Sequence, residues 1–123
     1  MTLTDVTVLA AAGYFAVFGT GFVFRPGLVE RFALRWTDAA GRTEVRCYYG
    51  AVSWALAGFL AYLVAQDLGT EALTGVVLLA SAVFLTRVVG TLVDGGRSHP
   101  YTRLAIPTEA AFVLVTLGVR LLA

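Results

Sequence analysis

Residues 6–24 read VTVLAAAGYFAVFGTGFVF, nineteen positions without a charge. At a helical rise of about 1.5 Å per residue the stretch is about 28 Å long, close to the hydrocarbon thickness of a bilayer. It predicts a membrane-spanning helix. A signal peptide is the competing reading, but that needs a basic segment ahead of a shorter apolar run, and residues 1–5 carry only Asp5.

The same test, carried outward, finds three more spans. Residues 47–65 are uncharged and end in the polar stretch 66–70, where Gly69 suits a helix terminus. Residues 72–93 are apolar except for Arg87 and stop at Asp94, Gly95 and Gly96, a turn signal. Residues 104–122 are interrupted by Pro107 and carry Glu109, with Arg120 near enough to the far end to snorkel. The expected fold is all-α: one integral membrane four-helix bundle over residues 1–123, in contact with the lipid bilayer. Composition agrees, since 59% hydrophobic and 14% charged residues with a mean hydropathy of +0.82 exceed what a soluble core of 123 residues requires.

Several function classes fall away on the same counts. All nine basic residues are Arg and the net charge is +1, which leaves no excess to neutralise a run of phosphates, so nucleic acid is not an expected partner. One cysteine (Cys47) and one histidine (His99) exclude an internal disulfide and a zinc site built from Cys and His within one chain. No metal and no cofactor is expected. The adjacent Gly95 and Gly96 read as a turn and not as a phosphate loop. The absence of Lys and Asn, with Ile106 the one Ile, hints at a GC-rich genome.

Charge sorts the loops. Arg25, Arg31, Arg35, Arg42 and Arg46 lie between the first two spans, Arg97 and Arg103 between the last two, and the middle loop holds Asp67 and Glu71. Basic loops stay cytoplasmic, so the chain is expected in the inner membrane as a multi-pass protein with both termini on the non-cytoplasmic side. In the first loop Leu28, Val29, Phe32 and Trp36 share one helical face. They predict a short interfacial helix anchored by Trp36; a continuation of the first span around Pro26 is the alternative.

Between lipid-facing helices small residues and polar contacts must provide cohesion. Ala12, Ala16 and Thr20 recur at four-residue spacing, as do Ser53, Ala57, Ala61 and Ala65. The spacing fits helix contact within one chain and equally the seam of a homo-oligomer.

An ionisable side chain at membrane depth is costly and marks a partner or a wet cavity. Arg87 stands seven residues before Asp94, about 10 Å of helix, and Glu109 six residues after Arg103, about 9 Å, so on antiparallel helices they reach one depth. They are expected to form an ion pair, which either fixes helix register or belongs to a site. Gly90 and Asp94 share the face of Arg87; Arg46, Tyr49, Gly50 and Ser53 form a stripe on the second span; Thr102, Glu109 and Thr116 align on the fourth, and Thr7, Tyr14 and Gly21 on the first. Pro107 frees the Arg103 carbonyl, hinting at a hydrated vestibule unless the helix begins later and Pro107 sits in its first turn. The expected site therefore lies in the cytoplasmic half, with Arg46, Arg87, Gly50 and Gly90 as ligand-binding positions, the glycines leaving space. In a catalytic version Asp94 is the acid or base, with Tyr49 and Glu109 beside it and Glu109 held ionised by Arg87. Ser98 is expected to cap the fourth helix and His99 to be a loop residue. Cys47 reads as a small apolar residue, with palmitoylation left open.

Arg46, Cys47, Tyr48, Tyr49 and Gly50, then Arg87, Gly90, Asp94 and Gly95, then Glu109, with Pro26 after the first span, resemble the bacterial membrane family known as domain of unknown function 4345. The resemblance covers nearly the whole chain and departs at Ala51, where a second Gly is expected. It implies a four-span bundle and carries no general activity. Two functions stay open: a bundle that binds a lipid-like or hydrophobic small molecule or a membrane partner, and a membrane enzyme of isomerase or cyclase type using acid/base chemistry on an isoprenoid, quinone or other lipophilic substrate. Proton-coupled transport has little room in four short spans outside an oligomer.

Overall fold

The computed structural model covers all 123 residues and contains four helices long and apolar enough to cross a membrane: α1 (Leu3–Phe24), α2 (Ala39–Ala65), α3 (Gly69–Asp94) and α4 (Pro100–Leu122). Each helix starts earlier in the sequence than the apolar runs indicate, and in α1, α2 and α4 a side-chain cap outside the run sets the start. Thr2 and Asp5 close a reciprocal capping box on α1, at 3.1 and 3.2 Å. Asp38 caps α2 by accepting from the Gly41 amide, so α2 begins eight residues before Cys47 and carries Arg42 and Arg46 on it. His99, not Ser98, caps α4: its Nδ1 accepts from the Tyr101 amide at 3.1 Å, and Pro100 occupies the first helical position. Pro107 is consequently interior to α4, which removes the first-turn alternative.

Helix ends are equally local in origin. α2 stops because Asp67 adopts φ 60°, letting the Leu68 amide return to the Leu63 carbonyl at 2.9 Å. Gly69 is a helix terminus as expected, at the start of α3. It opens α3 against the carboxylate of Asp5, leaving no room for a Cβ. α3 ends at Gly95, φ 94°.

The segment after α1 differs from the amphipathic α-helix anchored by Trp36. Pro26 starts a 3-10 helix, Pro26–Phe32, which buries Pro26 and Val29 and stops at Ala33 in a left-handed turn, φ 61°. Trp36 lies beyond it in extended chain, half-buried beneath the Arg42 guanidinium, 5.8 Å from the ring centroid. Nor does α1 continue around Pro26.

α1 is the hub. It packs most extensively on α2 and next on α3, while α3 pairs with α4 and α2 barely touches α3. The hydrogen bonds and ion pair that link different helices follow the same division. Trp54 Nε1 donates to Thr20 Oγ1 and Arg46 to the Val23 carbonyl between α2 and α1; Arg87 reaches Glu109 and Arg120 Nε donates to Thr74 between α3 and α4. Arg120, near the far end of α4, is thus tied to α3. The two stapled pairs meet through an apolar cluster of Val8, Ala11 and Ala12 on α1, Leu60 on α2, and Ala72, Leu73 and Val76 on α3. Few side chains are enclosed, 17 of 123 residues, and large apolar groups such as Val17, Leu78 and Leu114 point outward, as a lipid-facing bundle requires.

Candidate functional site

Working from the apolar cluster toward the Arg-rich loops, the bundle changes character. α2 contains a π-helical turn, Arg46–Ala51, in which the Val52 amide bonds the Cys47 carbonyl five residues back. Ser53 Oγ donates to the Tyr49 carbonyl at 2.9 Å within this widened turn. Such turns occur frequently at functional positions.

Beside it is an apolar cavity of about 320 Å³ to which all four helices contribute. Phe15, Leu56, Leu79 and Phe112 supply apolar wall, and the polar members are Tyr14, Tyr48, Ser53, Thr108 and Glu109. The cavity lies where the two helix pairs meet, alongside the loosely packed α2–α3 seam. A larger cleft of about 490 Å³ opens between the two chain ends and residues 67–70, but it is broad and mixed in character, with Asp5 and Asp67 beside Leu3, Val119 and Leu122.

Glu109 is fixed by Arg87, whose Nε donates to Oε1 at 2.9 Å and Oε2 at 2.7 Å, with the two side chains only 26% and 24% exposed. The Arg87 guanidinium also lies over the Tyr101 ring, 5.1 Å from its centroid. Tyr101 stacks on Phe32 at 4.7 Å, and Phe32 in turn neighbours Phe18, Phe22 and Tyr49. An aromatic column therefore ties the 3-10 segment to the ion pair. Sequence reasoning gave Tyr101 no role and placed Phe32 only on an interfacial face; the signal for Tyr101 was present in the turn spacing of Tyr101, Ala105 and Glu109.

The remaining candidate residues do not converge on this cavity. Arg46 is engaged with the Val23 carbonyl at the end of α1. Tyr49 packs on Phe22 at 5.4 Å and joins the aromatic column. Gly50, expected to leave space for a ligand, is instead a close helix contact: a Cβ there would strike Val23 and approach the Gly19 carbonyl at 3.3 Å. Gly90 faces a shallow outer groove with Asp94, whose side chain is exposed and makes no ion pair or hydrogen bond. Asp94 therefore shares the helical face of Arg87 without joining it in a polar cluster. Thr116 is buried and bonded to its own helix through the Phe112 carbonyl at 2.8 Å.

These features define an all-helical protein with an apolar exterior, built as a bundle around a cavity that has one partly buried carboxylate in its wall. No protein-family model, curated protein or solved structure matches the chain.

Proposed function

We propose that this protein is a multi-pass inner-membrane bundle that holds a lipophilic small molecule in the cavity between its helix pairs, with the Arg87–Glu109 ion pair inside the membrane and both termini on the non-cytoplasmic side. Its resemblance to the family of unknown function then reflects membership. One observation carries the reading: the cavity is largely apolar yet has the Glu109 carboxylate in its wall, anchored from outside the lining by Arg87. Apolar walls with a few fixed polar groups are the usual form of a small-molecule site. The ion pair holds Glu109 in one orientation, which suits positioning a ligand. The enzymatic reading relied on Asp94, which sits well away on the end of α3.

Native mass spectrometry of protein purified from its own membrane tests the proposal. A co-purified lipophilic molecule that is lost in Ala80→Phe, a change that fills the cavity, supports it. A wild-type protein that carries nothing, or the same occupancy in the filled variant, overturns it.

A further inference from the structure

Resting on that reading of the cavity, we infer that its ligand is a neutral lipid headed by a hydroxyl group, and not an anionic or cationic amphiphile. The inference comes from which polar atoms of the wall have hydrogens to give. Ser53 has committed its hydroxyl hydrogen to the Tyr49 carbonyl, and Thr108 has given its own to the Leu104 carbonyl at 2.7 Å. Both oxygens can only accept from a ligand. The Glu109 oxygens share the single Arg87 Nε–H and retain further lone pairs. Donors are scarce: of the lining hydroxyls, those of Tyr14 and Tyr48 alone are free of a hydrogen bond within the chain.

Charge then separates the headgroups. A carboxylate or phosphate entering the cavity would face Glu109, while Arg87, which is not part of the lining, lies outside it. An ammonium would give up its hydration for a carboxylate that Arg87 already neutralises. A hydroxyl satisfies the wall as it stands, donating to Glu109 and accepting from Tyr14, with no charge left over. Volume sets the rest of the molecule. At roughly 30 Å³ per non-hydrogen atom, the share of a water in the liquid, a cavity of about 320 Å³ holds about ten atoms. A longer chain must leave through an open side of the cavity, and the α2–α3 seam offers one, since Tyr48 and Val52 on α2 and Leu79 and Val83 on α3 line the cavity and are also exposed on the bundle surface. The ligand is thus anchored by its head and shares its tail with the bilayer.

The test uses the full chain in phosphatidylcholine nanodiscs with three probes of one length, hexadecan-1-ol, hexadecanoate and hexadecylammonium, at equal mole fraction and at a pH where both ionic probes are charged. Occupancy is read by native mass spectrometry. Hexadecanol should exceed either ionic probe by roughly ten-fold, the effect of one unsatisfied buried group. Glu109→Gln should shrink the gap to hexadecanoate. Because that change strands Arg87, Tyr14→Phe provides an independent arm: it removes the phenol that donates to the ligand oxygen without touching the ion pair, and should weaken hexadecanol several-fold. Equal or preferred binding of an ionic probe that Ala80→Phe abolishes would overturn the hydroxyl assignment and leave the cavity reading intact. Probe occupancy that Ala80→Phe does not alter overturns both.

Discussion

Gly19 and Gly50 face each other across the α1–α2 crossing so closely that a Cβ added to Gly19 would lie 2.7 Å from the Gly50 carbonyl oxygen. No side chain but hydrogen fits on either side, and this approach lets Trp54 reach Thr20 and Arg46 reach Val23. Gly50→Ala should therefore destabilise the protein by about 1–3 kcal/mol through overpacking. Gly58→Ala, at a helical position with nothing within 4 Å, should stabilise by about 0.5–1 kcal/mol through helix propensity. Thermal melts in detergent followed by circular dichroism compare the two. Equal melting temperatures would place the crossing elsewhere.

The Arg87–Glu109 contact should appear as energetic coupling. Arg87→Met and Glu109→Met each leave a charge without its partner, whereas the double change leaves none, so a double-mutant cycle should give a coupling of about 1–3 kcal/mol. Strict additivity would mean the two side chains do not meet in the membrane.

Phe32 holds the 3-10 segment down through its stack on Tyr101. Removing the ring in Phe32→Ala forfeits about 0.5–1.5 kcal/mol of pair interaction in addition to its buried area. Trypsin cleavage at Arg31 and Arg35, both exposed, should then accelerate several-fold while the four helices persist. An unchanged cleavage rate would show that the segment is secured by Pro26 and Val29 alone.

Orientation can be read from the wild-type chain, since Cys47 is its one thiol and is exposed. A membrane-impermeant maleimide should label it in inverted membrane vesicles and not in intact spheroplasts. The opposite pattern would reverse the proposed topology.

The ion pair was legible in the sequence because depth reduces to counting: seven residues from Asp94 and six from Arg103 set both charges at one level, and no packing detail enters. Helical phase was a weaker guide for Asp94. It shares a face with Arg87, yet it occupies the last turn of α3, where the helix has already passed beyond its neighbour's cover. Glycine was ambiguous for a different reason. A missing side chain at position 50 says that something needs the room, and only the partner helix decides whether that is a ligand or Val23. The interfacial segment misled because apolar positions 28, 29 and 32 suit a 3-10 turn as well as an α-helical one, and Pro26 together with the left-handed Ala33 selects the former. The capping of α4 could not be chosen between neighbouring Ser98 and His99 by composition.

The π turn at Arg46–Ala51 accommodates one more residue than an α-helical turn would, as the bond from the Val52 amide to the Cys47 carbonyl records. A related sequence shorter by one residue here could close the helix in ordinary α geometry and keep the lower part of α2 unchanged. Everything before the deletion, Arg46 and Arg42 included, would then keep its face, because the wider turn already absorbs the rotation of about 100° that one extra residue would add. A single-residue gap at this point in an alignment is thus the expected mark of divergence between relatives that share both the bundle and the arginine clasp on Val23.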